Sequence, residues 1–197
     1  WLEYYRAIEV LMNESSKNVR DNIDGIREDF DNLEIGGRNL FRPNSTAKGR
    51  ESTTEIKIAP YSFYATRSWS SLSKRFLINE GEKVTVSFWA KSETESTDWL
   101  HTQRIGFIGE SSDTRTDVHH HAVNVTNEWE YFENTFTVAD GTESMQFYAR
   151  SNTTGNNIWI NGLMIVRGNK APADWSPAPE DVEREAKEYA DRLKRET

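Results

Sequence analysis

Apolar residues change their spacing twice along this chain, and few architectures satisfy both changes. At the two ends they recur every three or four residues; in the middle they alternate with polar ones. Within 1–35, Val19, Ile23, Ile26, Phe30 and Leu33 fall at steps of 4, 3, 4 and 3, which is the seam of a heptad repeat. Upstream, Trp1, Tyr4, Ile8 and Leu11 step 3, 4 and 3. Joining the two runs takes two consecutive steps of four through Ser15, a stutter that locally unwinds a left-handed supercoil. Charged flanks (Arg20, Asp21, Asp24, Arg27, Glu28, Asp29) suit an outer face, and Gly36-Gly37 supply a stop. Segment 1–35 is therefore expected to be an N-terminal coiled-coil helix, a rod of roughly 50 Å. Isoleucine at both core positions, Ile23 and Ile26, favours three strands. An amphipathic helix folded back on its own domain is the alternative.

The carboxyl end repeats the pattern. Ser176-Pro177-Ala178-Pro179-Glu180-Asp181 is a helix start, with proline in the first turn and acid near the positive end of the dipole. Val182, Ala186, Tyr189 and Leu193 follow at steps of 4, 3 and 4. Residues 179–197 are thus expected to form a C-terminal helix, the start of a further coiled coil. Trp1 falls inside a helical pattern and nothing stops the last one, so a piece of a longer chain is expected, with one central domain between two coiled-coil stretches.

Composition excludes several classes. Among 197 residues there is no cysteine, which removes disulfide scaffolds, thiolate metal sites and a cysteine nucleophile. Mean hydropathy is −0.79, and no apolar run approaches the roughly 18 residues of a membrane span; membrane insertion is not expected, and no signal peptide is visible. Net charge is −8, and the acid is concentrated at the ends: 1–35 carry 4 basic and 9 acidic residues, and 180–197 carry 5 and 7. The nearly neutral centre has no basic stripe, so no nucleic-acid partner is expected. A neutral centre rich in aromatic, Ser, Thr and Asn residues suits an uncharged or weakly charged ligand such as a glycan.

That centre reads as strands. Aromatic residues are 12% of the chain within an apolar total of 36%, a balance that leans towards β structure. In Lys83–Lys91, Val84, Val86, Phe88 and Ala90 share one face, and Thr85, Ser87, Trp89 and Lys91 the other. In Gln146–Arg150, Phe147 and Ala149 point inward and Gln146, Tyr148 and Arg150 outward. In Trp129–Val138, Phe132, Phe136 and Val138 oppose Tyr131, Glu133, Thr135 and Thr137. Ile158–Val166 follows, with Ile158 and Ile160 inward; Ile56–Ser62 and Ile105–Gly109 are weaker candidates. The recurring turn signals fit a sandwich or jelly roll.

The order of several motifs carries a resemblance. Ile35-Gly36-Gly37-Arg38-Asn39-Leu40-Phe41 opens the domain, and Val84–Lys91 (VTVSFWAK) lies in its middle. Trp129, Phe136-Thr137 and Trp159-Ile160-Asn161-Gly162 follow, and Gly168–Asp181 (GNKAPADWSPAPED) closes it. Over about 35–181 this resembles the carbohydrate-binding-module-like jelly rolls of tail, baseplate and fibre proteins of phages of Gram-positive bacteria. The resemblance implies a mainly β, jelly-roll β-sandwich over 36–178 flanked by helical coiled-coil segments. It further implies a non-catalytic module that adheres to cell-envelope polysaccharide, usually in a homotrimer, in contact with other tail or baseplate proteins. Such a protein resides in the virion and acts outside the cell. The family often has Asp where this chain has Asn161, so a cation at that corner does not carry over.

Sugar binding needs flat apolar surfaces for the C–H faces of the ring and planar polar groups for the hydroxyls. Outward-facing Trp89 and Tyr148 form the leading candidate pair, with Arg150, Gln146 and Lys91 beside them. Tyr61-Ser62-Phe63-Tyr64 with Trp69 make a second cluster, whose other reading is loop anchoring. Trp99 with His101, next to the polar loop Ser92–Asp98, makes a third; Trp129, Trp159 and Trp175 are assigned to packing. His119-His120-His121 suggests a metal, with His101 or Asp117 as a third ligand, but no complete ligand spacing is present, and no cofactor is expected. A structural Ca²⁺ held by loop oxygens stays open, with no motif to place it. Glu110, Asp113, Asp117, Glu128, Glu130 and Glu133 form no recognisable acid–base pair, and no GxSxG, HExxH or P-loop is present. Two further readings remain open: a structural spacer or assembly domain, and a polysaccharide-degrading domain.

Overall fold

The computed structural model describes residues 2–31, 37–44, 58–59, 62–68, 70–95, 97–106 and 121–196. The chain divides into two compact units, Trp1–Glu34 and Ile35–Thr197. The first is a single helix, α1 (Leu2–Asp31). It contains no proline and one glycine, Gly25, so nothing interrupts its backbone ladder. Tyr4, Leu11, Val19 and Ile23 of its seam are exposed along it.

The second unit contains β1 (Ser62–Ala65), β2 (Ser70–Ser71), β3 (Phe76–Leu77), β4 (Lys83–Ser92), β5 (Asp98–Gly106), β6 (His121–Val125), β7 (Glu130–Thr137), β8 (Ser144–Ser151), β9 (Ile158–Arg167) and α2 (Pro179–Glu196). These strands build two antiparallel sheets. One has the order β1-β9-β4-β7; in the other β8 pairs with β2 and β3, then with β5, which pairs with β6. Their facing sides enclose one core, in which Val84, Val86, Phe88, Ile158, Ile160, Leu163 and Ile165 of the first sheet meet Phe147, Ala149, Leu100 and Val125 of the second. Phe88 stacks on Phe132 at 5.6 Å and meets Phe147 edge-on at 6.3 Å. This is a β-sandwich, and the alternation expected for β4, β7 and β8 is the alternation observed.

β9 stays in register with the core through a bulge. Pairing with β4 shifts between Ser87 and Trp89, and Gly162 sits there at φ +64°, a conformation that side chains other than glycine adopt at a cost. The shift lets Ile160 and Leu163 both face the core. It leaves Met164 and Val166 on the outer side, where Ala171 and Trp175 cover them.

Two buried asparagines stitch irregular backbone to β9. Asn39 Oδ1 accepts from Phe41 N and Ile165 N, both at 3.0 Å, while its Nδ2 donates to Leu163 O (3.3 Å) and Ser176 O (2.8 Å). Asn161 Oδ1 accepts from Ile58 N (3.1 Å) and Ala59 N (3.0 Å), and its Nδ2 donates to Ala59 O (3.2 Å) and Ser62 Oγ (2.9 Å). The opening and closing motifs of the domain thus touch. Arg38 pairs with Glu180, and Arg42 lies 3.6 Å from Asp181. Helix α2 starts on that contact, with Asp181 also 3.3 Å from Arg184.

The weaker strand assignments move. Of Ile56–Ser62, residues 56–57 and 60–61 lie outside the described residues, Ile58-Ala59 is a bend, and Ser62 begins β1, which runs Ser62–Ala65. Ser62, Phe63 and Tyr64 of the run read as a loop are therefore strand; Tyr61 lies outside the described residues. Of Ile105–Gly109, Ile105 and Gly106 end β5, which begins at Asp98, and 107–109 lie outside the described residues.

Candidate functional site

Alternation places a side chain inside or outside the sandwich, and sheet order then decides which outward residues share a surface. Trp89, Lys91 and Tyr64 stand on the outer face of the first sheet; Tyr148, Gln146, Arg150 and Trp99 stand on the outer face of the second. The pair Trp89–Tyr148 therefore lies on opposite sides of the core and does not form one surface. Lys91 likewise accompanies Trp89 and not Tyr148. Trp69 lies outside the described residues.

The first sheet's outer face is largely occupied by its own chain. Asn161 holds Ile58-Ala59 over its β1–β9 part, and Ala171 and Trp175 cover its far end. Between them Tyr64 meets Trp159 edge-on at 4.4 Å, Trp89 tilts against Tyr131 at 5.7 Å, and Lys91 lies in register with Trp159. Tyr131 Oη donates to Glu133 Oε2 at 2.6 Å, and Lys170 Nζ donates to Glu133 Oε1 at 2.9 Å. Burial, reinforced by the bond to Glu133, pushes the Tyr131 phenol up to about 12. Burial alone would raise the Glu133 carboxyl, but the Tyr131 hydroxyl and the Lys170 ammonium hold it below its ordinary value.

The second sheet's outer face is exposed at Trp99 and closed at Tyr148, which is 8% exposed. Trp99, on β5, is 55% exposed. Two residues on, His101 lies directly opposite Arg150 of β8, and Tyr148 and Gln146 continue the same face along β8. Ser71 of β2 lies opposite Tyr148, and Asn124 of β6 opposite Trp99. Tyr148 Oη donates to Gln146 Oε1 at 3.0 Å, and Gln146 Nε2 donates to Ser71 Oγ (2.6 Å) and Ser73 O (2.8 Å). The tyrosine hydroxyl is thus anchored by a chain of hydrogen bonds.

Trp99 is fixed through its backbone. Asp98, 2% exposed, turns inward and accepts from Trp99 N (2.7 Å), Thr153 Oγ1 (2.9 Å), Thr153 N (3.3 Å) and Ser151 Oγ. Asn152 N donates to Trp99 O at 2.8 Å, and Arg67 Nη1 donates to Asn152 O (2.5 Å) and Oδ1 (3.1 Å). Asp98, Asn152 and Arg67 escaped the sequence reading. Only strand register, which sets β5 beside β8, brings them to Trp99.

The face can therefore offer the exposed indole plate of Trp99, with the partly exposed His101, Arg150 and Gln146 on the same side of the sheet. Among the described residues, no carboxylate stands outward on these strands, so this face carries no acid pair for glycoside hydrolysis. Among the described residues, no group of three His, Asp or Glu side chains is placed to hold a metal. His121 faces inward opposite Thr102, away from His101, and His119, His120 and Asp117 lie outside the described residues.

Comparison with known proteins follows this geometry. A family model described as a carbohydrate binding domain matches residues 28–156. Among solved structures, the CBM22-1 xylan-binding domain from Paenibacillus barcinonensis Xyn10C is similar at 14% identity, over 71% of this chain and 99% of that one, with a TM-score of 0.49. A CBM4 structure is similar at 19% identity, over 66% and 80%, with a TM-score of 0.41. The enzymatically active domain of Bacteriophage CBA120 tailspike protein 4 is similar at 15% identity, over 64% of this chain and 18% of that one, with a TM-score of 0.44. No curated protein matches the sequence.

Proposed function

Because this chain belongs to the carbohydrate binding domain family, we propose that it is a non-catalytic glycan-binding module whose ligand lies on the outer face of the second sheet. The observation that supports the reading is the exposed indole of Trp99 on the same sheet face as the partly exposed His101, Arg150 and Gln146, with Tyr148 packed at 8% exposure beside them. Trp99 supplies the plate for a sugar's C–H face, and the polar groups beside it take hydroxyls.

The setting we propose is a phage tail or baseplate fibre, adhering to host cell-envelope polysaccharide. The exposed heptad seam of α1 favours a homotrimeric coiled coil. Three weak sites on one shaft gain avidity through effective concentration.

A glycan array followed by calorimetry on purified wall polysaccharide tests the function. Trp99→Ala is expected to weaken binding tenfold or more, about 1.4 kcal/mol, while Trp89→Ala leaves it within twofold. The reverse pattern would move the site to the first sheet. Absence of glycan binding by the intact chain would replace this reading with that of a spacer or assembly domain, and new reducing ends would replace it with a degrading enzyme.

A further inference from the structure

We infer that Asn152 selects the sugar seated on Trp99, that Asn124 holds its far edge, and that the sugar is a 2-acetamido pyranose whose acetamido oxygen is received by the Asn152 amide. The inference rests on the glycan-binding reading above and adds the class of sugar. Sheet register sets the three residues in one row across the strands. Asn124 of β6 lies directly opposite Trp99 of β5, with their Cβ atoms about 5 Å apart. On the other side Asn152, the residue after β8, donates its N–H to Trp99 O at 2.8 Å. Trp99 is 55% exposed, and both asparagines are exposed.

The backbone around Asn152 is tied down on both sides. Ser151 Oγ, Thr153 N and Thr153 Oγ1 all donate to the buried Asp98. Ser151 N donates to Thr66 O at 2.8 Å, which fixes the segment that carries Arg67. Arg67 Nη1 in turn donates to Asn152 Oδ1 at 3.1 Å. A guanidinium has no acceptor, so the amide oxygen faces Arg67 and the Nδ2 group points away from it. The Asn152 side chain therefore turns N–H donors, not its oxygen, towards a ring on Trp99. Asn124 brings both an amide oxygen and amide N–H groups. A hydroxyl can accept from Asn152, but its own proton then finds no acceptor in that side chain. An acetamido carbonyl accepts and has no proton to place, and because the donor is a neutral amide the oxygen it receives needs no charge. At the far edge, hydroxyls give and receive at Asn124. Such a ring leaves no polar group unmatched, and one that lacks the carbonyl does, which is the condition for discrimination between sugars.

Calorimetry of the intact chain against two hexamers of one backbone tests this: chitohexaose, with an acetamido group on every ring, and cellohexaose, with a hydroxyl in its place. Chitohexaose is expected to bind tenfold or more tighter. Asn152→Asp puts an oxygen where the donor stood; it should erase that advantage and leave cellohexaose binding within threefold. Arg67→Gln, acting through Asn152, should shrink the advantage, whereas Asn124→Ala and Trp99→Ala should weaken both hexamers alike. Equal affinity for the two, or tighter binding of cellohexaose, would overturn the inference while leaving the glycan-binding reading intact, and that comparison needs no variant. An advantage that survives Asn152→Asp would overturn it as well. If neither hexamer binds, the array decides: binders that carry a 2-acetamido ring support the inference, and binders that lack one overturn it. Binding to no glycan at all would overturn the reading beneath it.

Discussion

Asn161→Ala removes one side chain and with it four hydrogen bonds, two accepted and two donated. Asn161 is 1% exposed, and so its partners decide the cost. Ile58 is 45% exposed, so water can replace the amide at its N–H. Ala59 at 4% and Ser62 at 0% have no such access. The Ser62 hydroxyl can rotate, but the Ala59 N–H and C=O are left with no partner from this residue. At about 1–3 kcal/mol for each buried group so orphaned, the loss is about 3 kcal/mol. For a domain of this size that lowers Tm by about 10 °C. Urea unfolding followed by tryptophan fluorescence measures it, and a loss under about 1 kcal/mol would refute the reasoning. Asn161→Asp sharpens the test. The carboxylate keeps both accepted bonds but sets an oxygen against Ala59 O at the 3.2 Å spacing. Its folded-state pKa must then rise above the unfolded value, so this variant is weakest at neutral pH and regains stability as pH falls and the acid donates again. Glycan binding, on the opposite sheet, should survive both changes.

Other perturbations have equally definite outcomes. Gly162→Ala forces a side chain into φ +64° with its Cβ about 3.1 Å from Ile58 Cγ2, and should cost about 1–3 kcal/mol in the same unfolding assay. The Tyr131–Glu133 pair should show both signs of linkage. Glu133, held below its ordinary 4.5, stabilises the fold above that pH and ceases to as pH falls through its lower folded value; the wild-type advantage over Glu133→Gln should therefore shrink in acid. Tyr131, raised from 10.0 to about 12, stabilises below pH 10, and its advantage over Tyr131→Phe should fade as pH rises through 12. If α1 forms the proposed three-stranded coil, Ile23→Asp should reduce the light-scattering mass from three chains to one and lower the helical dichroism signal.

Strand faces were legible because period-two alternation needs no partner: β4, β7 and β8 follow it without exception through their core positions. Alternation says nothing about which sheet a strand joins. Trp89 and Tyr148 are both outward, and only the order β1-β9-β4-β7 against β2-β8-β5-β6 shows that they face opposite ways. The same blindness kept the Trp99–His101 candidate apart from Arg150, which antiparallel register sets opposite His101 from about 50 residues away. β1 was missed for a different reason. Its four residues are Ser-Phe-Tyr-Ala, too short and too polar at one end for periodicity to outweigh the look of a loop.

Asn39 touching Ser176, and Arg38 touching Glu180, mean that the polypeptide comes into the sandwich and departs from it at a single corner. A domain so arranged is a cassette. Everything between those contacts can be exchanged for another fold whose termini are neighbours, and the backbone on either side need not be rerouted. Changing what such a protein grips would then require one substitution of a whole block rather than a redesign of the chain that carries it.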